Sequence, residues 1–437
     1  MLIIVLWISI GLVSIALYFA NSMTYELRAS DNRVDGLMAE QAIEGAARYV
    51  SYELLLYATN GVVPDNTQFH CEAVPVGDSK FWLIGRDPNQ DNSTEPYFGL
   101  VDEGGKFNLN NIGTNTLQYL PNMTFDFAQA IQDWRGTNGD VTLDYASLGY
   151  TAKNAPFETE DELRLVYGAT EDLLVGEDVN RNGVLDANEK DLNGNGELDP
   201  GLFEYTTVYT REPNFHADGT SLTNVNSATQ QDLQTLFQDE GTSAASSLSQ
   251  SLYRGIHPTG RPVNACHGLL DLCLRLKNAG MSSDDFAKIS SFVTTTTNLY
   301  FRNRVNVNTA CTDVMIALFM GRNIDEQTAE STAQTLVTYR QQNPQDLGSI
   351  AWLVDALGNN NQVLKALQAG DYVTTRSFQF TADIAAVGPF GRGYRRVKFI
   401  FDMSDGTPKV IYRQDLSRLG WALGEKVREN LVAKDTQ

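Results

Sequence analysis

The sequence is poor in the residues that carry most site chemistry. Its 437 residues include four cysteines and four histidines. Cys71, Cys266, Cys273 and Cys311 are too few for a disulfide scaffold, and none forms the paired Cys-x-x-Cys spacing of a zinc site. Cys266-His267 and Cys273 lie within one predicted helix and lack a fourth ligand, so they are expected to be buried core residues. No GxSxG, HExxH or Walker pattern occurs, so no catalytic residues are assigned. The glycines of Gly388-Pro-Phe-Gly-Arg-Gly393 lack phosphate-loop spacing and read as a hairpin turn between strands. Basic residues are also scarce: 33 Lys and Arg against 54 Asp and Glu leave a net charge of −21. That sign repels polyanions, which excludes nucleic acid as a partner. With 13 prolines and no low-complexity tract, the composition is that of a folded protein of two or three domains.

Charge is missing altogether from the start of the chain. Residues 1–20 carry none, and the first charged side chain is Glu26. An uncharged run of about twenty residues spans a bilayer as a helix. It lacks the basic flank and the small-residue cleavage site of a secretory signal, so the expectation is a retained membrane helix. From Thr24 to Tyr57 there is no proline, and Leu27, Leu37, Met38, Ala42, Ala46, Val50 and Leu54 recur at helical spacing. One helix is predicted to reach Asn60, roughly 90 Å at 1.5 Å per residue. Six acidic residues and three arginines between Asn21 and Asn60 place this flank outside the cytoplasm. The expected location is therefore a single membrane span, with the body periplasmic or otherwise extracytoplasmic.

Beyond the stem, Phe69–Leu83 and Pro96–Leu109 read as short strands. Helices are predicted over Phe125–Trp134, Glu160–Val166, Gln230–Phe237, Phe286–Thr297, Cys311–Met320, Thr328–Gln341 and Ile350–Leu357. Strand character returns with Phe378–Ile384, Arg395–Phe401 and Lys409–Tyr412. The fold class expected is α+β: a long N-terminal helix on a small antiparallel sheet, interrupted by a large, mostly helical insertion. The division is 1–60 for membrane helix and stem, 61–110 with 372–437 for the sheet domain, and 111–371 for the insertion. A weak repeat, Phe107-Asn-Leu-Asn110, Thr223-Asn-Val-Asn226 and Val305-Asn-Val-Asn308, is expected to supply helix N-caps. A DNA-binding helix-hairpin-helix fails on its turn and on charge.

The clearest chemistry lies in residues 176–204. Asp178, Asn180, Asn182, Gly183, Val184, Asp186 and Glu189 occupy positions one, three, five, six, seven, nine and twelve of a twelve-residue loop. This is the calcium-loop pattern: alternate side chains supply oxygens, glycine takes the positive-φ turn, Val184 offers its carbonyl, and Glu189 can bind through both oxygens. Leu185 is expected to point inward. Asp191, Asn193, Asn195, Gly196, Glu197 by its carbonyl, and Asp199 repeat the pattern, but position twelve is Leu202, so Glu204 or Glu189 would have to help. Fourteen acidic and three basic residues between Glu158 and Glu204 would repel one another without cations. The expected cofactor is calcium, in the first loop and less completely in the second, held in a structural loop that lacks long flanking helices.

Leu100-Val-Asp-Glu-Gly-Gly-Lys-Phe-Asn-Leu-Asn110, Lys153-Asn-Ala-Pro-Phe157, Asp161-Glu-Leu-Arg-Leu-Val-Tyr-Gly168 and Arg304-Val-Asn-Val-Asn-Thr-Ala310, in this order behind the stem, resemble the type II secretion minor pseudopilin K family, whose members are type IV pilin-like. The resemblance implies a non-enzymatic subunit that caps a secretion pseudopilus and starts its assembly. It implies a tip complex with pseudopilins resembling I and J, anchorage through residues 1–20, and exported proteins as further partners. It also implies that Met1 is the N-terminus left by prepilin cleavage, and that Val5, where most pilin-like proteins carry a glutamate, marks the first position in a filament. An unpaired charge in lipid is costly, so the glutamate serves only a subunit with a neighbour ahead. The competing reading is a membrane-anchored, calcium-dependent adhesion or binding protein outside a secretion system.

Overall fold

A computed structural model describes residues 2–90, 93–136 and 145–435; Met1, to which prepilin cleavage is assigned, lies outside the described residues. The N-terminal helix α1 (Leu2–Tyr57) is unbroken. Its first half is long and apolar enough to cross a membrane and is exposed along its length. The second half turns Ala39, Ala42, Ile43, Ala46, Val50 and Leu54 inward, a 3–4 spacing that places them on one face.

That face covers an antiparallel sheet of β1 (Val74–Val76), β2 (Ser79–Ile84), β3 (Val101–Asp102), β4 (Gln379–Val387), β5 (Arg395–Asp402) and β6 (Lys409–Asp415). The order is β1-β2-β4-β5-β6, with β3 also paired to β4. Phe380, Ala382, Ile384 and Ala386 point at α1, whereas Thr381, Asp383 and Ala385 point to the opposite side, as the two-residue period of a strand requires. The Gly388–Gly393 segment is the hairpin turn between β4 and β5. A Cβ on Gly393 (φ +68°) would come within 2.3 Å of the Asp35 backbone, so glycine there lets the turn close against the stem.

The chain leaves the sheet after Asp102 and returns at Gln379. Between them lies a mostly helical insertion with its own core. Five of its helices sit close to their expected places: Phe125–Arg135, Gln230–Asp239, Thr312–Met320, Glu326–Gln342 and Ala351–Leu357. The expected helix over 286–297 differs. It is Ser283–Ile289, after which Val293–Thr294 pairs in parallel with Thr223–Asn224, because the β-branched run favours strand over helix. Glu160–Leu165 is a 3₁₀ turn. Ala245–Ile256 is a helix that the sequence reading missed, and the helix expected to hold Cys266, His267 and Cys273 runs over Leu269–Asn278, so it contains Cys273 while Cys266 and His267 precede it.

The Asn-x-Asn segments are not caps. The following helices are capped by the Thr229 side chain in a capping box and by Cys311 without a side-chain bond. Each segment is instead a two-residue strand in a parallel pair, Phe107–Asn108 with Thr206–Thr207, Thr223–Asn224 with Val293–Thr294, and Val305–Asn306 with Val373–Thr374. The first Asn accepts from the amide of the second, and the second bridges distant backbone. Asn226 donates to Cys266 O at 2.9 Å and to Thr295 O at 2.8 Å, and accepts from Cys266 N at 2.7 Å.

Removing that amide strands three interior backbone groups, so Asn226→Ala is expected to lower stability by about 2–4 kcal/mol. Asn226→Asp is expected to do no better, since a carboxylate cannot donate to two carbonyls. The exposed Ser227→Ala is expected to stay within about 0.5 kcal/mol. Chemical denaturation of the three variants checks this.

Candidate metal centre

The two acidic loops share one backbone plan. Position six is left-handed in both, Gly183 at φ +84° and Gly196 at +77°, and so is position four, Arg181 at +58° and Gly194 at +75°. Asp178 accepts from Asn182 N (2.8 Å) and Gly183 N (2.7 Å), and Asp191 from Gly194 N (2.5 Å) and Gly196 N (2.9 Å). Position five braces position seven, Asn182 Oδ1 accepting from Val184 N at 3.0 Å and Asn195 Oδ1 from Glu197 N at 2.8 Å. Positions three and five both donate to position nine: Asn180 and Asn182 to Asp186, and Asn193 and Asn195 to Asp199.

Position twelve separates the loops. Glu189 accepts from Asn180 N at 2.9 Å and Asp186 N at 3.0 Å. In the second loop this place is filled by Glu177, which accepts from Leu192 N at 2.5 Å and Asp199 N at 3.0 Å. Glu177 lies before the first loop and is 2 % exposed. Neither helper named from sequence takes this part, because Glu204 pairs with Arg86 at 2.9 Å and Glu189 serves its own loop. Leu185 is only half-buried, and Val184 is the side chain that turns inward. Leu198 does so in the second loop.

The donor set fits a hard cation. Among the described residues no three Asp, Glu, His or Cys side chains gather as a metal cluster; the loops draw on carboxylate, amide and carbonyl oxygens together, as calcium does. Burial pushes the Asp178 and Glu189 carboxyls above their usual range, a penalty that a bound cation relieves. Asn180 is buried, and its Oδ1 has no partner. A half-turn of the Asn180 amide exchanges its donor and acceptor. The second loop is exposed from Leu192 to Glu197, and backbone amides, that of Gly196 first, hold Asp191 below the usual carboxylate range.

The first loop is docked on the sheet face opposite α1. Arg396 on β5 is fully buried and forks onto Asp383 of β4, Nε to Oδ1 at 2.9 Å and Nη2 to Oδ2 at 2.6 Å. The same guanidinium donates to Asn180 O and, at 2.7 Å, to Arg181 O. Nearby, Lys398 pairs with the buried Glu160 at 3.0 Å. Val5 lies in the exposed first half of α1, where Ser9 donates to its carbonyl. Cys71, Cys266 and Cys273 are free thiols, and burial pushes all three up to about 12.

No protein-family model and no curated protein matches the chain. A chain of the solved GspK-GspI-GspJ complex from the type 2 secretion system of enterotoxigenic Escherichia coli is similar to it at 11% identity, over 89% of this chain and 99% of that one, with a TM-score of 0.39.

Because removing one partner of a buried pair leaves the other charge uncompensated, Arg396→Met is expected to cost about 3–5 kcal/mol. Replacing both partners, Arg396→Met with Asp383→Leu, is expected to recover most of that loss. In both variants the amides of residues 180–184 are expected to exchange faster, because the loop loses its donor from the sheet. Denaturation and hydrogen exchange measure the two effects.

Proposed function

We propose that this chain is a non-enzymatic minor pseudopilin of the K type, which caps the tip of a type II secretion pseudopilus and helps start its assembly. The observation that carries this reading is the architecture of α1. Its apolar first half stands clear of the body, while its second half buries one face against a small antiparallel sheet. The four sequence stretches that resemble the family support it. The proposal has the helix in the inner membrane and the body in the periplasm, which the scarcity of basic residues in the flank after residue 20 supports.

Tip position is supported by two features. Val5 carries no charge, so the stem needs no neighbour ahead of it. The insertion occupies the chain from Asp102 to Gln379, a bulk that would obstruct repeated packing along a shaft but not at its end. Apolar side chains left exposed on the stem, Val34, Leu37, Tyr52, Leu55 and Leu56, suit helix packing against pseudopilins resembling I and J. Exported proteins are further candidate partners. Crosslinking or gold labelling of the insertion on isolated filaments is expected to mark one end; labels at intervals along the shaft would show the assignment to be wrong.

The first loop is proposed to hold calcium through Asp178, Asn180, Asn182, the Val184 carbonyl, Asp186 and Glu189. The second is proposed to hold it through Asp191, Asn193, Asn195, the Glu197 carbonyl and Asp199, with Glu177 in place of a twelfth ligand. Bound calcium would add positive charge in the midst of these carboxylates. The loop residues hold one another's backbone in place, and Glu177 ties the end of the second loop to the start of the first.

At 100 times its Kd, calcium stabilises by about 2.7 kcal/mol, so a chelator is expected to lower the Tm of the body by a few degrees. Asp178→Ala with Glu189→Ala is expected to remove the first-loop share of that shift. Glu177→Gln is expected to lower the number of ions bound from two to one, as read by calorimetry; an unchanged stoichiometry would rule Glu177 out.

A further inference from the structure

The first loop carries a cation that its own sequence does not supply. Arg86 follows β2 and reaches across from the sheet. Its Nη2 lies 3.6 Å from Asp178 Oδ2 and 3.3 Å from Arg181 O, its Nε lies 2.9 Å from Glu204 Oε1, and its Nη1 donates to Gly85 O at 2.9 Å. The side chain runs over position six of the loop: a Cβ on Gly183 would come within 3.0 Å of its Cδ and Nε. It therefore touches the first ligand from outside the ring of donors and is tethered there. The Asp178 side chain is 5% exposed, so little solvent screens the two charges. The matching carboxylate of the second loop, Asp191, is held by backbone amides instead.

We propose that Arg86 is a built-in competitor of calcium at Asp178, so that the first loop fills at a higher calcium concentration than its donors alone would require. The proposal rests on the calcium reading above. A fixed monovalent cation beside the first ligand opposes an entering divalent one, and the tether to Glu204 keeps it from swinging away. The guanidinium bridges the two carboxylates, Nη2 toward Asp178 and Nε toward Glu204, so its charge meets an entering ion ahead of that of Glu204.

The test is titration of the full chain in detergent with calcium chloride, by calorimetry, with the second loop silenced by Asp191→Ala. In that background Arg86→Gln is expected to tighten binding about ten-fold, and Arg86→Lys, which keeps the charge, to leave it within about two-fold. Arg86→Met with Glu204→Leu removes the pair without burying a lone carboxylate and is expected to tighten binding about three-fold. Unchanged or weaker binding in the Arg86→Gln and paired variants overturns the role of Arg86 while leaving the calcium site standing. Tightening by Arg86→Lys equal to that by Arg86→Gln also overturns it, since the charge would then not be the cause. An absence of binding heat in the unsubstituted chain overturns the calcium reading and this inference with it.

Discussion

The carboxylate of Asp102 ties the two ends of the insertion together where it joins the sheet. Asp102 is the last residue of β3. It accepts from Gly104 N at 2.7 Å, from Asn306 Nδ2 at 2.8 Å, from Thr309 Oγ1 at 2.5 Å, and from the Ser377 hydroxyl. One side chain thus gathers the point where the chain leaves the sheet, the third Asn-x-Asn segment, and the point where the chain returns. A buried carboxylate is tolerated only when its lone pairs are filled, so these four donors have little freedom to rearrange. The ends of a very long loop are held together by this knot.

The sheet has two chemically different faces. Toward α1 it presents Phe380, Ile384, Phe399 and Phe401, and apolar burial at about 25 cal/mol per Å² holds the stem there. Toward the insertion it presents Asp383, Arg396 and Lys398, with Glu103 held between the hydroxyls of Thr207 and Thr381. Charged pairs of this kind are weak sources of stability but geometrically demanding. The stem is fixed by area, and the insertion by a small number of directional contacts. An insertion attached in this way can be large without disturbing the packing that joins the sheet to α1.

The acidic stretch from Glu158 to Glu204 is organised rather than merely solvated. Glu160 pairs with Lys398, Glu204 with Arg86, and Glu177 and Glu189 each accept two backbone amides in the acidic loops. Every one of these carboxylates has a directional partner. Arg86, just after β2, and Arg396 on β5 add positive charge to a stretch whose own three basic residues leave it strongly acidic. The first loop is therefore a joint between insertion and sheet as well as a set of oxygen donors.

The sequence by itself determined the features that depend on near neighbours. An uncharged run followed by helical spacing is enough for α1, because each contact is made within a turn or two. The offsets from Asp178 to Glu189 are enough for the shape of the first loop, because the side chains that brace it and its glycine lie within twelve residues. Tertiary structure alone decided the rest. Glu177 supplies the second loop from outside its twelve positions, so no reading of offsets from Asp191 reaches it. Arg86 and Arg396 meet the first loop across some 90 and 215 residues of chain. The Asn-x-Asn segments have good cap chemistry, yet each is drawn into a parallel pair with a strand far along the chain. Ala245–Ile256 is rich in serine, a residue that competes for backbone bonds, and it is helical because Leu248, Leu252 and Ile256 find a core to enter. Hydrogen-bond partners of that range are set when the core closes, and no local pattern of residues encodes them.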